Sequence, residues 1–392
     1  MKKKSIAILG STGSIGQSTL QVLKKSNEYR VELLAANKNY LKIVNQVKSF
    51  KPNILVINNK NIFLKIKKEY QNKKIIILNS FENVQKYTNK INTTVSAIPG
   101  IAGLEPTIIF TKMSKKILIA NKEAIICGWH LIKKNSVKYK TEIVPIDSEH
   151  FSINMLLQNQ LINQIEKIYI TASGGPFLNL NLNKFKNIKP INAIKHPKWS
   201  MGKKISVDSA TLMNKVLEVT EAVRLFPFSL KKYEIIIHPN SLIHAIIKLN
   251  NGTSVYLYHL PDMRIPIANA LLKNFNYNKF FNKKIKNYDK IQNLTFLKVD
   301  KKRFPSLNLI PEMNRGKSSA IILNAANEIF VDEFLNNNIN FTDIVNFLKL
   351  VIKDKSYIKT SNLSADSVKN IYVIDGWARK TALKIIERKK SH

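Results

Sequence analysis

The stretch Ile8-Leu9-Gly10-Ser11-Thr12-Gly13-Ser14-Ile15-Gly16, ILGSTGSIG, decides how the chain is read. An apolar run, Ser5–Leu9, stops at Gly10, glycines recur at Gly13 and Gly16, and a helix-like stretch follows. Strand, turn and helix in that order predict a phosphate-binding loop: glycine lets backbone N–H groups come close to an anion, and the helix N-terminus adds a favourable field. Ser11, Thr12 and Ser14 add hydroxyl donors. The spacing is G-x-x-G-x-x-G rather than the commoner G-x-G-x-x-G, so a plain strand-to-helix turn is the competing reading.

Outward from this loop, strand-like runs recur at Ser5–Leu9, Val31–Ala36, Asn53–Ile57, Lys74–Leu78, Thr94–Ile98, Ile117–Ala120 and Glu142–Ile146, with Lys-rich amphipathic stretches between several of them. The alternation predicts βαβ units, hence an α/β fold with a Rossmann-like, doubly wound parallel sheet over residues 1–150. Ligands on such sheets bind at the carboxyl ends of strands. Polar clusters stand there: Asn37-Lys38-Asn39, Asn121-Lys122-Glu123 and Asp147-Ser148-Glu149. Residues 151–272 mix strands at Lys167–Thr171, Tyr233–His238 and Ser254–His259 with a helix within Val207–Leu225, and read as a central α+β domain. Residues 273–298 are rich in Asn and Lys and read as a linker, while 299–392 carries helical periodicity, as in Ser318–Leu335 and Phe341–Ile352.

The chain has 392 residues, 44% of them hydrophobic, enough for sizeable cores. No run approaches the roughly 18 apolar residues of a transmembrane helix, and no membrane association is expected. Met1-Lys2-Lys3-Lys4 before Ser5–Leu9 imitates a signal peptide, but the apolar run is too short and enters the glycine loop directly, so it reads as a strand. The single cysteine, Cys127, excludes an intrachain disulfide and fits a reducing cytoplasm. The formal net charge of +37 raises nucleic acid as a partner. The lysines are scattered, however, with no basic stripe and no interleaved aromatics. Compositional drift toward Lys, Asn and Ile therefore explains the charge better, and no specific nucleic-acid partner is expected. Such a charge still draws small anions by long-range steering, an effect weakened by salt.

The second strand of an NAD site usually ends in a carboxylate for the ribose 2′-hydroxyl. Here Asn37, Lys38 and Asn39 stand instead, which favours a 2′-phosphate and so NADPH; an ordinary solvated lysine is the alternative. Asp147 and Glu149 are two apart past a strand, and residues so spaced in extended chain share a side. Asn214 and Glu218 are four apart on one helix face, with Lys215 between them. Three carboxylates without a histidine or cysteine cluster suit a hard cation such as Mg²⁺ or Mn²⁺. Acidic residues are scarce, 26 against 63 basic, which weakens the reading of this trio as surface charge. The segment Trp199-Ser200-Met201-Gly202-Lys203-Lys204 lies between Ser173-Gly174-Gly175 and Ser209 and reads as a lid over about 173–203. Serines, His196 and Lys215 are candidates to bind an anionic group, although Trp199 as core and His196 as a turn residue are ordinary readings of each alone.

Taken in order, Gly10–Gly16, Asn121-Lys122-Glu123, Asp147-Ser148-Glu149-His150, Ser173-Gly174-Gly175-Pro176-Phe177, His196-Pro197-Lys198-Trp199-Ser200-Met201-Gly202, Val207-Asp208-Ser209-Ala210-Thr211, Met213-Asn214-Lys215 and Asn324-Ala325-Ala326-Asn327-Glu328 make the chain resemble the 1-deoxy-D-xylulose 5-phosphate reductoisomerases over nearly its whole length. The resemblance implies NADPH-dependent rearrangement and reduction of 1-deoxy-D-xylulose 5-phosphate to 2-C-methyl-D-erythritol 4-phosphate, in isoprenoid precursor synthesis. It also implies a Rossmann domain, a central catalytic and dimerising domain, a C-terminal helical bundle and a homodimer. Carried over, Asp147, Glu149 and Glu218 would ligate Mg²⁺, Mn²⁺ or Co²⁺. Ser173, Ser209, Asn214 and Lys215 would hold the substrate phosphate and nearby hydroxyls, and Ser148 and Lys122 would contact the substrate backbone. His196 would sit in the mobile lid with Trp199 covering the substrate. Thr12, Gly13, Ser14, Ile15, Asn37, Lys38, Asn39, Asn121, Lys122, Glu123 and Gly202 would contact NADPH. Two positions depart from the family pattern. Asn37 stands where glycine is expected, and Ala172 precedes Ser173 where some relatives carry glycine, with a stiffer first hinge as the expected result.

Two other readings stay open at this level. One is a different NADPH-dependent dehydrogenase acting on an aldehyde, of which a cysteine-nucleophile type would need Cys127, with His130 the nearest base. The other is a nucleic-acid-binding protein, motivated by charge alone.

Overall fold

The computed structural model describes residues 3–88, 90–158, 160–199, 201–281 and 294–390. Ser200 of the expected lid and residues 282–293 of the expected linker 273–298 lie outside the described residues. The chain forms two compact units: Met1–Ala124 with Trp129–Phe151 and Asp262–Ile285, and Ile125–Gly128 with Ser152–Pro261 and Lys286–His392.

The first unit is built on seven parallel strands: β1 Lys4–Leu9, β2 Tyr29–Ala36, β3 Ile54–Ile57, β4 Ile76–Leu78, β5 Ile91–Ser96, β6 Ser114–Ile119 and β7 Glu142–Pro145, in the spatial order β4-β3-β2-β1-β5-β6-β7. The helices α1 Ser14–Lys24, α2 Tyr40–Phe50, α3 Lys60–Glu69 and α4 Leu104–Met113 connect them, and α5 Lys122–Tyr139 and α6 Ser148–Leu157 begin in this unit. The doubly wound parallel sheet expected from sequence is therefore present. Its central strands are apolar on both faces because helices cover both, so Ile6, Ile8, Leu33 and Leu34 are all buried. Each such side chain contributes about 2 kcal/mol relative to exposure.

Strand order reverses between β1 and β5, which opens a crevice at their carboxyl ends. Gly10 sits at that point with φ +87°, and a Cβ there would lie 2.5 Å from the Ala97 carbonyl oxygen. The glycine is thus required by conformation and by contact. Helix Arg264–Leu271 also belongs to this unit: Ile267, Ala268 and Leu271 join the same buried cluster as Leu20, Leu23 and Tyr29, and the Tyr29 hydroxyl donates to the Leu271 carbonyl at 3.0 Å. The sequence division had placed this segment with the central domain.

The second unit carries β8 Ile165–Ala172, β9 Tyr233–Ile237, β10 Ile243–Leu249 and β11 Ser254–Tyr258, in the order β11-β10-β8-β9, with β8 and β9 parallel and the other pairs antiparallel. β10 was not anticipated. It is central and largely buried, so its sequence lacks the alternation that marks a half-exposed strand. The single helix expected within Val207–Leu225 is two, α7 Lys203–Ala210 and α8 Met213–Leu225, broken where Leu212 takes φ +56°. Neither glycine nor proline marks that break, and Leu212 tolerates the left-handed backbone while buried. The C-terminal part is helical as expected, with α9 Ser319–Leu335, α10 Phe341–Ile352 and α11 Val368–Lys390. Asn340 and Asp343 close a capping box at the start of α10.

Two glycines give opposite expectations. Gly10→Ala meets the Ala97 carbonyl at positive φ and should destabilise by about 1–3 kcal/mol. Gly376→Ala, inside α11 with no heavy atom within 4 Å of the added Cβ, should stabilise by about 0.5–1 kcal/mol. Chemical denaturation of both variants measures the two signs.

Candidate functional site

In the first unit the glycine loop divides into an inward and an outward part. Ser11 is buried: its Oγ donates to Gln46 Oε1 at 2.8 Å, and Gln46 Nε2 donates to the Ser11 carbonyl at 2.9 Å. Its hydroxyl is therefore committed to the core, which corrects its reading as a phosphate donor. Thr12 is half-buried, Gly13 and Ser14 are exposed and Ile15 is half-buried. Helix α1 opens on Gly13 without a side-chain cap, so no side chain takes up its first N–H groups. Asn37, Lys38 and Asn39 are exposed just past β2. Asn39 Oδ1 accepts from the Lys42 N–H at 3.1 Å and caps α2. Asn37 keeps a negative φ, so glycine is not needed at that position.

Asn121 is buried at the end of β6. Its Oδ1 accepts from the Ala124 N–H to cap α5, and its Nδ2 donates to the carbonyls of Ile98 and, at 2.9 Å, Gly100. The amide thus ties the ends of β5 and β6 together. The next residue, Lys122, is buried with its Nζ 3.3 Å from Asp147 Oδ2. His150 Nδ1 lies 3.4 Å from Asp147 Oδ1, and the Glu149 N–H donates to the same oxygen at 3.3 Å. Burial pushes the Asp147 carboxyl up, but the Lys122 ammonium and then the His150 ring outweigh it and hold it well below the usual carboxylate range. Asp147 is accordingly an anion. The Ser148 hydroxyl donates to Glu149 Oε2, and Glu123 is buried on the first turn of α5.

In the second unit β8 ends at Ala172, which is buried and paired with Ile237, so a side chain is accommodated there without strain. The backbone turns instead at Gly174, φ +82°, and Gly175, φ +67°. A Cβ on Gly175 would stand 2.9 Å from the Ser209 carbonyl, so glycine lets the Ser173 loop lie against α7. Ser173 Oγ is 2.9 Å from His196 Nε2 and accepts from the Gly175 N–H at 3.1 Å. His196 Nδ1 accepts from the Lys198 N–H at 3.1 Å and the Trp199 N–H at 2.9 Å. That fixes the proton of the neutral ring on Nε2, which then donates to Ser173. Burial first, and the charge of Lys215 second, bring the His196 pKa down to about 4.

Helix α8 carries Asn214, Lys215 and Glu218 on one face, all buried, with Glu218 only 1% exposed. Lys215 Nζ donates to Glu218 Oε2 at 2.6 Å, and Asn214 Nδ2 donates to Oε1. Ser209 lies near the end of α7 and Gly202 caps its start, exposed. A cavity of about 980 Å³ opens in this unit beside Ser173, Gly175 and Lys198, with Phe177, Asn240 and Thr295 also on its wall. Trp199 meets the edge of His244 with ring centroids 5.9 Å apart, and His244 stacks on His259 at 4.0 Å. Sequence reasoning missed that histidine pair because it missed β10, which carries His244.

Family models described as 1-deoxy-D-xylulose 5-phosphate reductoisomerase, its C-terminal domain and DXP reductoisomerase C-terminal domain match residues 6–128, 143–226 and 259–381. The 1-deoxy-D-xylulose 5-phosphate reductoisomerase of Pelagibacter ubique (strain HTCC1062) is 46% identical over 373 residues, 94% of this chain and 96% of that one. That of Wolbachia pipientis wMel is 39% identical over 98% of both chains. Among solved structures, DOX-P reductoisomerase in complex with NADPH, fosmidomycin and magnesium superposes with a TM-score of 0.90 at 32% identity, covering 99% of each chain. The Zymomonas mobilis 1-deoxy-D-xylulose 5-phosphate reductoisomerase in complex with NADPH gives 0.87 at 31%, covering 98% of this chain and 100% of that one.

The His196 ring gives a pH prediction. Its pKa is depressed from 6.5 to about 4, so the folded ring stays neutral where an unfolded one takes a proton. The stability this contributes is complete above pH 6.5 and is lost as pH falls through about 4. NMR titration of the ring carbons should show a midpoint near 4 in the ligand-free protein. Lys215→Met should raise that midpoint part of the way toward 6.5, because burial persists when the charge is gone. A midpoint unmoved by that change would assign the whole depression to burial.

Proposed function

The chain belongs to the 1-deoxy-D-xylulose 5-phosphate reductoisomerase family, and we propose on that premise that it converts 1-deoxy-D-xylulose 5-phosphate to 2-C-methyl-D-erythritol 4-phosphate with NADPH and a divalent cation. It is an NADP-dependent oxidoreductase. The observation that carries the reading is the match of both compact units, at full length, to reductoisomerases solved with NADPH and with magnesium.

The residues of this chain fit both groups. For NADPH, the loop after β1 passes backbone close to β5 at Gly10, and the exposed end of β2 offers Lys38 with no carboxylate beside it. Thr12, Gly13, Ser14 and Ile15 are assigned to the pyrophosphate, and Lys38 with its neighbours Asn37 and Asn39 to the 2′-phosphate. Asn121, Lys122, Glu123 and Gly202 are assigned to the remainder of the cofactor. For the cation, the donor set is Asp147, Glu149 and Glu218, all oxygen ligands suited to Mg²⁺, Mn²⁺ or Co²⁺. Asp147 is ionised without a ligand present, and Glu218 is desolvated and already holds two donors. When bound, NADPH supplies the hydride and the cation polarises the substrate carbonyl and acidifies its hydroxyls.

The remaining residues bind and orient. Lys215 offers a compact positive charge, and Ser173, Ser209 and Asn214 offer neutral donors, a set suited to a phosphate monoester. The neutral His196 donates an Nε2–H hydrogen bond to Ser173 Oγ, which leaves the serine hydroxyl proton free to be directed to substrate. Lys122 and Ser148 are assigned to the sugar chain. Trp199, in the segment proposed as a lid, covers the substrate and excludes water from the aldehyde formed by rearrangement. We propose a homodimer, with the outer edge of β11, where Tyr256 is 51% exposed, as the pairing surface. We place it in the cytoplasm, in keeping with the free, buried thiol of Cys127. No helix among the described residues is long and apolar enough to cross a membrane.

The test is NADPH oxidation in the presence of deoxyxylulose phosphate and Mn²⁺, with and without chelator, and with the product identified. Turnover should require the metal and yield methylerythritol phosphate; metal-independent turnover would remove the cation from the reading. Glu218→Gln should lose turnover by about 100-fold or more with its far-UV spectrum unchanged. Activity near that of the unmodified chain at saturating Mn²⁺ would remove Glu218 from the ligands. Lys38→Ala should weaken NADPH by about tenfold and NADH little. An equal loss for both cofactors would show that Lys38 does not read the 2′-phosphate.

A further inference from the structure

The Asn324-Ala325-Ala326-Asn327-Glu328 stretch lies on α9. Asn327 is fully buried, at 0% exposure. Its Nδ2 donates to Asp208 Oδ1 at 2.8 Å across 119 residues of chain, while its Oδ1 has no hydrogen-bond partner among the described residues. The bond to Asp208 is therefore the only hydrogen bond described for this side chain.

Asp208 is itself 1% exposed and lies on α7, directly before Ser209. Its second oxygen pairs with Lys204 Nζ at 2.9 Å, one turn earlier on the same helix. That pairing balances the buried charge from within the same helix. The Asn327 amide reaches Asp208 from a different element and ties the two together. Just past α7, Ser306 Oγ donates to the Thr211 carbonyl and holds the exit of the helix. On the other side the Ser173 loop rests on the Ser209 carbonyl at Gly175. Helix α7 is thus gripped at its last turn from α9, while its first turn, at Gly202 and Lys203, is exposed.

We propose that Asn327 is a positioning residue for the anionic end of the substrate: through Asp208 it holds the last turn of α7, and with it Ser209, where the phosphate is to be bound. This rests on the assignment of Ser209 to the phosphate made above. Charge-assisted hydrogen bonds to a buried carboxylate are among the stronger single contacts in a protein, and loss of the donor leaves Asp208 held by a lysine on its own helix. The helical bundle thereby sets the affinity for the sugar phosphate without touching it.

The test is steady-state kinetics on the full chain with saturating Mn²⁺. Asn327→Leu keeps the branching of the side chain, at a larger volume, and removes the donor. It should raise the KM for deoxyxylulose phosphate about tenfold, with kcat and the KM for NADPH within about twofold. The exchange Asp208→Asn with Asn327→Asp restores one carboxylate facing one amide, and it should bring the KM back to within about threefold. In a Ser209→Ala background, Asn327→Leu should add less than about twofold, because the contact it positions is already gone. An unchanged substrate KM, a parallel loss in kcat and both KM values, or a full multiplicative effect in the Ser209→Ala background would each overturn the proposal. Ser209→Ala alone tests the underlying assignment: an unchanged substrate KM there removes Ser209 from the phosphate site, whatever Asn327→Leu does. Should Asn327→Leu not fold, Asn327→Ser, whose hydroxyl is too short to reach Asp208, reads the same quantities.

Discussion

Three carboxylates, Asp147 in the first unit and Glu218 and Asp208 in the second, each stand against a lysine. Asp147 has Lys122 at 3.3 Å, Glu218 has Lys215 at 2.6 Å and Asp208 has Lys204 at 2.9 Å. A carboxylate cannot stay ionised away from water without such a partner, since the desolvation cost otherwise favours the protonated, metal-incompetent form. Pairing with Lys122 in this way keeps the Asp147 carboxyl well below the usual carboxylate range despite its burial. It also explains why lysines as deeply buried as Lys122 and Lys215 occur in a chain whose other lysines are mostly on the surface. Breaking one member of such a pair leaves a lone buried charge, so substitution of these lysines carries a cost well beyond that of an exposed ion pair.

The first unit was largely legible in the sequence because its signals are local. A short apolar run ending at glycine, a helix start and a polar cluster at a strand end are each set by neighbouring residues, and β1 and the Gly10 turn appear where those signals put them. Ser11 was misread because its burial depends on Gln46, on another helix 35 residues away. The same reason hid the attachment of helix Arg264–Leu271 to the first unit: it is decided by apolar packing with Leu20 and Leu23. In the second unit the misses were of two kinds. β10 puts Ile246 on the face opposite the buried Ala245 and Ile247, so its sequence does not show the two-residue period. The break at Leu212 carries no breaker residue, and Leu212 and the adjacent Met213 are both buried. The charged residues of the candidate site stand out in the sequence by their scarcity. The contact of Asn327 with Asp208 does not, because the two are 119 residues apart.

Pairing is one way to bury a titratable group; neutrality is the other, and the site uses both within one unit. His196 and Lys215 are close enough for the lysine charge to act on the ring. Had His196 been protonated, two cations would have competed for the same surroundings, and Glu218 could balance only one of them. The fold prevents this through the backbone. The N–H groups of Lys198 and Trp199 both point at Nδ1, and a protonated Nδ1 could accept neither. The tautomer, the orientation of Ser173 and the seating of the Trp199 backbone are therefore a single choice made by three residues of loop. A ring that keeps Nδ1 as acceptor stays neutral beside the Lys215 charge.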